Sequence, residues 1–513
     1  MDAKRAICSV LLIGLVWPGV SSAQDGAARR RFAQAAELAS RGEATASVDV
    51  YKDLVRQYPE DDLVPLALLR VAEGRWAMGD AAGARAVTAQ LRELHPAAPA
   101  TAGAYVLEGQ MQLAMAITLN DLRDVWVTLG HVRSAFDPLV YPDPAWRRHA
   151  GLLRGRVAVL LDELDLAAAE LLTVLEEDSV AHGRSHILEA RVELAQVFLA
   201  QGQFREGAEI LQRVIEDGDT TPAPSNTTRR TVDLARRRLS LLQRIVFRPL
   251  AGQSAWTSVR SLVVPGGGLR APNGVAVSDD GHLVVADERA DLALVFDPGG
   301  ALIATSVVEN PRLPWWGTDG QAYVLDRRLV KRPLSEPDPV TFAMPEGVEL
   351  RPMNDLRAGA QGPLGEWVLL DVDLRRVVRF DRYRRYQSTV VFRRLAEEIT
   401  DVAVDLRGRI WLLDRDEDRV LRAGLDGNPD TVFATGEWRR PEAVAVDALG
   451  GAYVLDRDAK TVSVFGPDGA LKLLVGPVLP DGTELRSPRD VAVDGAGRLY
   501  LADRGRNAVF ILE

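Results

Sequence analysis

Between Pro441 and Gly476 the chain reads PEAVAVDALGGAYVLDRDAKTVSVFGPDGALKLLVG. Four short apolar runs alternate, or nearly alternate, with polar residues, and the turn formers Ala-Leu-Gly-Gly, Asp-Arg-Asp-Ala and Pro-Asp-Gly separate them. That pattern describes a four-stranded antiparallel meander. Similar text starts at Pro272, Ile399 and Pro488. A meander that recurs about every 40 residues is the signature of a β-propeller.

Two degenerate copies, Pro311–Pro345 and Pro352–Val390, lie between the clear ones. The aspartate ending the second strand of each copy falls at Asp287, Asp326, Asp371, Asp414, Asp456 and Asp503, which predicts six blades. The last copy stops after its third strand, so Val259–Val264 is expected to supply the missing outer strand and close the ring. The motif Pro-x-x-Val-Ala-Val-Asp, then Gly-x-Leu-Tyr-Val-Ala-Asp-Arg, resembles the NHL repeat. The resemblance implies a six-bladed NHL-like β-propeller over residues 256–513.

From Arg29 to about Ile245 the texture is helical, rich in Ala, Leu, Glu and Arg. Gly42 precedes Pro59, and Gly79 precedes Pro96, at the same spacing. Ala35, Ala72 and Ala195 stand seven residues before Gly42, Gly79 and Gly202. A small residue lets two helices approach, Gly ends the first helix and Pro ends the second. These units resemble tetratricopeptide (TPR) repeats, which implies an α-solenoid over residues 29–246, with Arg229–Ile245 as a polar-faced capping helix. Residues 247–255 read as a linker. The fold class is thus multidomain, α followed by all-β.

Lys4 and Arg5 precede an apolar run, and Ser21-Ser22-Ala23 offers a small-residue cleavage site, so residues 1–23 read as a signal peptide cut after Ala23. Periplasmic or secreted placement follows as an expectation. The single cysteine, Cys8, lies inside that segment, and cleavage moves the net charge from −10 to −11. An acidic chain is poorly suited to nucleic acid. No later stretch approaches the roughly 18 apolar residues of a membrane span, so no transmembrane helix is expected after cleavage.

Candidate ligand residues are those that break the repeat. Just before each innermost strand, at the entrance to the central channel, stand Asn273, Arg312, Asn354, Thr400, Glu442 and Arg489. Varied polar residues on a fixed frame suit a ligand site. Trp315 and Trp316 replace the usual Ala-Val of the inner strand and either present an aromatic surface or fill a decayed blade. In the helical half, Trp76, Trp126 and Trp146 are candidates for lining the concave groove implied by the TPR resemblance, or else packing filler. The repeated aspartates read as turn caps or a carboxylate ring, and the arginines after four of them (Arg327, Arg415, Arg457, Arg504) as partners of neighbouring aspartates or as an anion site.

No catalytic residue, cofactor or metal site is expected. Six-bladed lactonase-like propellers use a channel metal, and Glu442, Asn273 and Asn354 are the set that such an enzyme would need here. The reading is an exported, non-enzymatic scaffold or binding protein. Its helical groove takes a protein partner and its propeller face takes protein or an envelope glycan. The alternative is a metal-dependent hydrolase or lactonase in the channel.

Overall fold

In a computed structural model of the chain, the described residues are 25–116, 118–135, 145–176, 184–221, 224–326, 329–334, 336–342, 355–391, 398–424 and 429–513. The expected signal peptide and its cut after Ala23 lie outside them. Eleven helices come first: α1 Asp25–Ser40, α2 Ala44–Gln57, α3 Val64–Ala77, α4 Ala81–Leu94, α5 Pro99–Leu113, α6 Leu119–Ala135, α7 Ala145–Leu160, α8 Leu164–Glu176, α9 Arg184–Ala200, α10 Phe204–Asp219 and α11 Asn226–Leu242. Essentially, α1–α7 form one compact unit, and α8–α11 with all the strands form a second.

The helix turns use the residues that the sequence marks. Gly42, Gly79 and Gly202 have φ of +81°, +85° and +78°, the left-handed conformation that ends a helix. In each, the residue after the glycine donates its N–H to a carbonyl five residues back: Glu43 to Leu38, Asp80 to Arg75 and Gln203 to Phe198. This pairing satisfies carbonyls that the helix end would otherwise orphan. Ala35, Ala72 and Ala195 are fully buried where helices meet. In the first unit, Val48, Leu54, Leu69, Leu91 and Met111 share one core across α2–α5.

Helix α11 corrects the expectation of a polar-faced cap. Val232, Ala235, Leu241 and Leu242 join one core with Leu211 and Val214 of α10 and with Leu449, Tyr453 and Leu501 of the sheets. Arg238, on its charged side, is 3% exposed and donates to Asp279 Oδ1 (2.6 Å) and to the Gly495 carbonyl (3.3 Å). Residues 247–255 are not a loose tether either. The helix runs on through a π-turn, Gln243–Phe247, and a short turn, Arg248–Leu250, while Ala255 and Trp256 are buried. Trp256 Nε1 donates to the Gly497 carbonyl at 2.9 Å. An apolar residue at each end of the stretch anchors it.

The strands build a propeller. After β1 (Val259–Ser261), five blades are each made of four consecutive strands. They are β2–β5 (Pro272–Val277, Leu283–Asp287, Leu292–Phe296, Leu302–Val307), β6–β9 (Pro311–Trp316, Ala322–Asp326, Leu329–Arg332, Glu336–Val340) and β10–β13 (Leu356–Gln361, Trp367–Asp371, Arg376–Phe380, Tyr386–Val391). The other two are β14–β17 (Ile399–Val404, Ile410–Asp414, Arg419–Ala423, Pro429–Thr435) and β18–β21 (Pro441–Val446, Ala452–Asp456, Thr461–Phe465, Leu471–Val475). A further four-stranded sheet is composite: β22 (Pro488–Val493), β23 (Leu499–Asp503) and β24 (Ala508–Leu512) are completed by β1. Val259 faces Leu512 and Ser261 faces Phe510 in antiparallel register, so the strand expected from residues 259–264 does form the seam. The innermost strands β2, β6, β10, β14, β18 and β22 neighbour one another in turn, and β22 returns to β2.

Candidate functional site

The start of each innermost strand carries a bulge. Pro272 faces Asp287 and Gly274 faces Ala286, so Asn273 is an extra residue with no partner of its own. The same shift occurs at Arg357, Thr400, Glu442 and Arg489. A bulge breaks the ladder and re-aims the side chain it carries. The residues at these positions differ from blade to blade while the strands around them repeat.

One candidate lies outside the described residues, and the register places another residue at the bulge of its blade. Asn354 lies outside the described residues, and Arg357 holds the bulge position in its blade. Pro352 looked like the opening proline of the strand, but Leu356 takes that register, opposite Asp371. In β6 the irregularity is longer: Arg312 faces Leu325, and Leu313 and Pro314 intervene before Trp315 faces Tyr323.

Two bulge residues, Arg357 and Arg489, and two further arginines lie near Glu442, whose side chain is 12% exposed. Its Oε2 lies 3.1 Å from Arg415 Nη2 and 3.7 Å from Arg440 Nε. Its Oε1 lies 3.6 Å from Arg357 Nη2 and 3.9 Å from Arg489 Nη1. Thr400 is buried and leans on its own blade, Oγ1 to the Leu413 carbonyl at 3.4 Å. Arg312 is half-buried. A cation coordinated by Glu442 would sit among four guanidinium groups, and Coulomb repulsion opposes it. Of the donor set considered for a channel metal, Glu442 is thus engaged by arginines, and Asn354 lies outside the described residues.

Trp315 is buried, whereas Trp316 is half-buried. Trp315 is 5% exposed and packs against Tyr323 (ring centroids 5.7 Å apart) and Trp367 (6.3 Å). Trp316 Nε1 donates to the Ala276 carbonyl of the neighbouring inner strand at 3.2 Å. Two bulky rings replace Ala-Val, and the longer bulge accommodates them. In the helices, Trp76 and Trp146 are half-buried against the α2–α5 core. The Arg154 guanidinium lies 3.6 Å above the Trp126 ring.

Two of the arginines following the repeat aspartates, Arg415 and Arg504, pair with glutamates. Arg415 Nη1 holds Glu398 at 2.6 Å as well as Glu442, and Arg504 Nη1 holds Glu288 at 2.9 Å. Arg327 lies outside the described residues.

Two carboxyls that the sequence reading missed sit one residue beyond the bulges. Asp401 accepts the N–H groups of Val402 and Val444, each at 2.8 Å, and so ties β14 to β18. Asp490 accepts those of Val491 and Val275, each at 2.8 Å, and ties β22 to β2. Burial pushes the Asp401 carboxyl up to about 7 against the pull of those N–H groups and Arg357. Burial, then the Asp401 charge, pushes Asp490 well above the usual carboxylate range. Buried Asp447 is likewise pushed up to about 6, by burial. A carboxyl whose value rises on folding binds more protons folded than unfolded, so its contribution is complete near pH 4 and fades as pH rises through the folded value. The propeller transition in calorimetry is therefore expected to fall as pH is raised from 5 to 8. Asp401 alone accounts for on the order of 3 kcal/mol, at about 1.4 kcal/mol per unit. Asp401→Asn loses one acceptor, lowers stability at pH 5 and flattens the slope. An unchanged slope in that variant would refute the assignment.

No protein-family model matches the chain, and no curated protein matches it. Solved structures match over the propeller half. They include virginiamycin B lyase from Staphylococcus aureus, at 10% identity over 50% of this chain and 98% of that one, with a TM-score of 0.39. A gluconolactonase from Xanthomonas campestris matches at 15% identity over 50% and 88%, with a TM-score of 0.39. A calcium-binding protein, regucalcin, from Agrobacterium tumefaciens matches at 13% identity over 50% and 93%, with a TM-score of 0.38. At these values the likenesses carry no argument about the activity of this chain.

Proposed function

We propose that this chain is a non-enzymatic binding protein of the bacterial cell envelope. It is delivered by the signal peptide 1–23, and its helices are TPR-like repeats that take a protein partner. We read its strands as a six-bladed NHL-like propeller, with the composite sheet as the sixth blade, whose channel face takes protein or envelope glycan. The observation that carries the reading is the convergence of Arg357, Arg415, Arg440 and Arg489 on the half-buried Glu442. Side chains committed to one another by charge recognise a charged ligand reversibly, and they offer no activated nucleophile–base pair. The same arrangement speaks against the lactonase-like alternative, because it surrounds Glu442 with cations.

The test uses the full mature chain. Incubated with calcium, zinc or manganese and a panel of sugar lactones, it is expected to hydrolyse none above the blank. Turnover that a chelator abolishes, and that Glu442→Gln lowers, would overturn the binding reading.

A further inference from the structure

Among the described residues around Glu442, the guanidinium groups outnumber the glutamates they meet. Arg357, Arg415, Arg440 and Arg489 surround Glu442, Arg415 also holds Glu398, and Arg504 holds Glu288. Burial and then the nearby Arg457, followed by Arg504, draw the Arg489 guanidinium below its usual value, while Glu442 and Glu288 oppose the shift. Six guanidinium groups thus stand around three glutamates. Asp401 and Asp490, one residue deeper, are held toward their neutral forms by burial and spend both oxygens on backbone N–H groups.

Two side-chain atoms on adjacent inner strands point to what is missing. Arg489 Nε and Asn273 Oδ1 are buried and make no hydrogen bond within the protein. One is a donor and the other an acceptor. Buried polar atoms seldom go unpaired, and an anion alone cannot satisfy both. The contacts that Glu442 makes are also unequal. Arg415 binds it at 3.1 Å, whereas Arg357, Arg440 and Arg489 stop at 3.6, 3.7 and 3.9 Å, beyond hydrogen-bonding distance.

We propose that this mouth binds an acidic sugar unit, with its carboxylate or phosphate received by Arg357 and Arg489 and a neighbouring hydroxyl donating to Asn273. Glu442 is the resident substitute that the ligand's oxyanion displaces from those two arginines, while Arg415 retains it. The proposal rests on the binding reading above and names the ligand class for that face. It leaves the helical groove untouched.

Isothermal titration calorimetry of the full chain tests it with glucuronate, glucose 6-phosphate and, as control, glucose. At least one acid is expected to bind and glucose is not. Which acid binds separates a uronate from a phosphorylated sugar as the source. The affinity should drop about tenfold between 50 and 500 mM salt, as exposed charge pairs are screened. Arg489→Ala is expected to weaken binding tenfold or more, and Glu442→Gln to tighten it at least threefold by removing the internal competitor. Arg357→Ala, the other receiving arginine at a more exposed site, serves if Arg489→Ala fails to fold, and should weaken binding tenfold or more. Silence with both acids, equal binding of glucose, or weaker binding by a Glu442→Gln chain with an unchanged melting profile would overturn it. Failure here leaves protein capture by the same face intact, whereas chelator-sensitive turnover would remove the binding reading itself.

Discussion

Asp456→Ala is expected to lower the stability of the propeller by about 4 kcal/mol. The carboxylate is 1% exposed and accepts four backbone N–H groups: Arg439 (2.6 Å), Arg440 (3.2 Å), Asp458 (3.0 Å) and Ala459 (2.9 Å). Each donor left unpaired in a buried setting costs about 1–3 kcal/mol, and those nearest solvent recover part of it from water. Asp456→Asn keeps one acceptor oxygen and should lose about half as much. Asp503→Ala is the replicate, since Asp503 accepts from Arg486, Ser487, Gly505 and Arg506 at 2.7–3.2 Å. Urea unfolding followed by far-ultraviolet circular dichroism reads the shift in midpoint. A midpoint equal to that of the parent chain would show that these aspartates are dispensable to their turns.

Removing Ile511–Glu513 is expected to be as damaging. The deletion takes away the partners of Val259 and Arg260 and the bonds that Glu513 makes through its N–H to Ser258 (2.9 Å) and its carbonyl to Thr257 (2.8 Å). Ile511 and Leu512 are 1% and 0% exposed, and each contributes about 2 kcal/mol of apolar burial. With the ladder bonds lost as well, the propeller transition should fall by about 10 °C or more in calorimetry. Deleting 259–261 should reproduce the effect from the other side of the seam. A transition that does not move in either deletion would mean that the ring closes by other contacts.

The strands and their order were legible because period-two alternation and turn residues are local signals, and the seam followed from counting strands in the last copy. The turn-cap reading of the aspartates holds for Asp287, Asp456 and Asp503. In two blades it changes character: Asp371 takes Arg376 Nε at 3.0 Å and Asp414 takes Arg419 Nε at 2.9 Å. An arginine five residues on competes with the backbone donors, and no local pattern announces that. The same limit explains Arg357. Register is set by pairing across strands, so a proline near the right place outweighed a leucine at it. Asp401 and Asp490 escaped notice because their partners, Val444 and Val275, belong to neighbouring blades. Likewise α11 reads as an amphipathic cap from its own residues. Only the position of Asp279, on a turn of the sheets, makes its charged side an inner one.

The pairing of β1 with β24 also sets an order of events. Ser258 Oγ and the Glu513 carbonyl meet across 255 positions of sequence. During synthesis, the first strand of this half must wait with its edge unpaired until nearly everything after it has been made. Contacts this distant form slowly, and bare edges left waiting are prone to join other chains. A cell making this protein has reason to keep the nascent half bound or unfolded until the tail arrives.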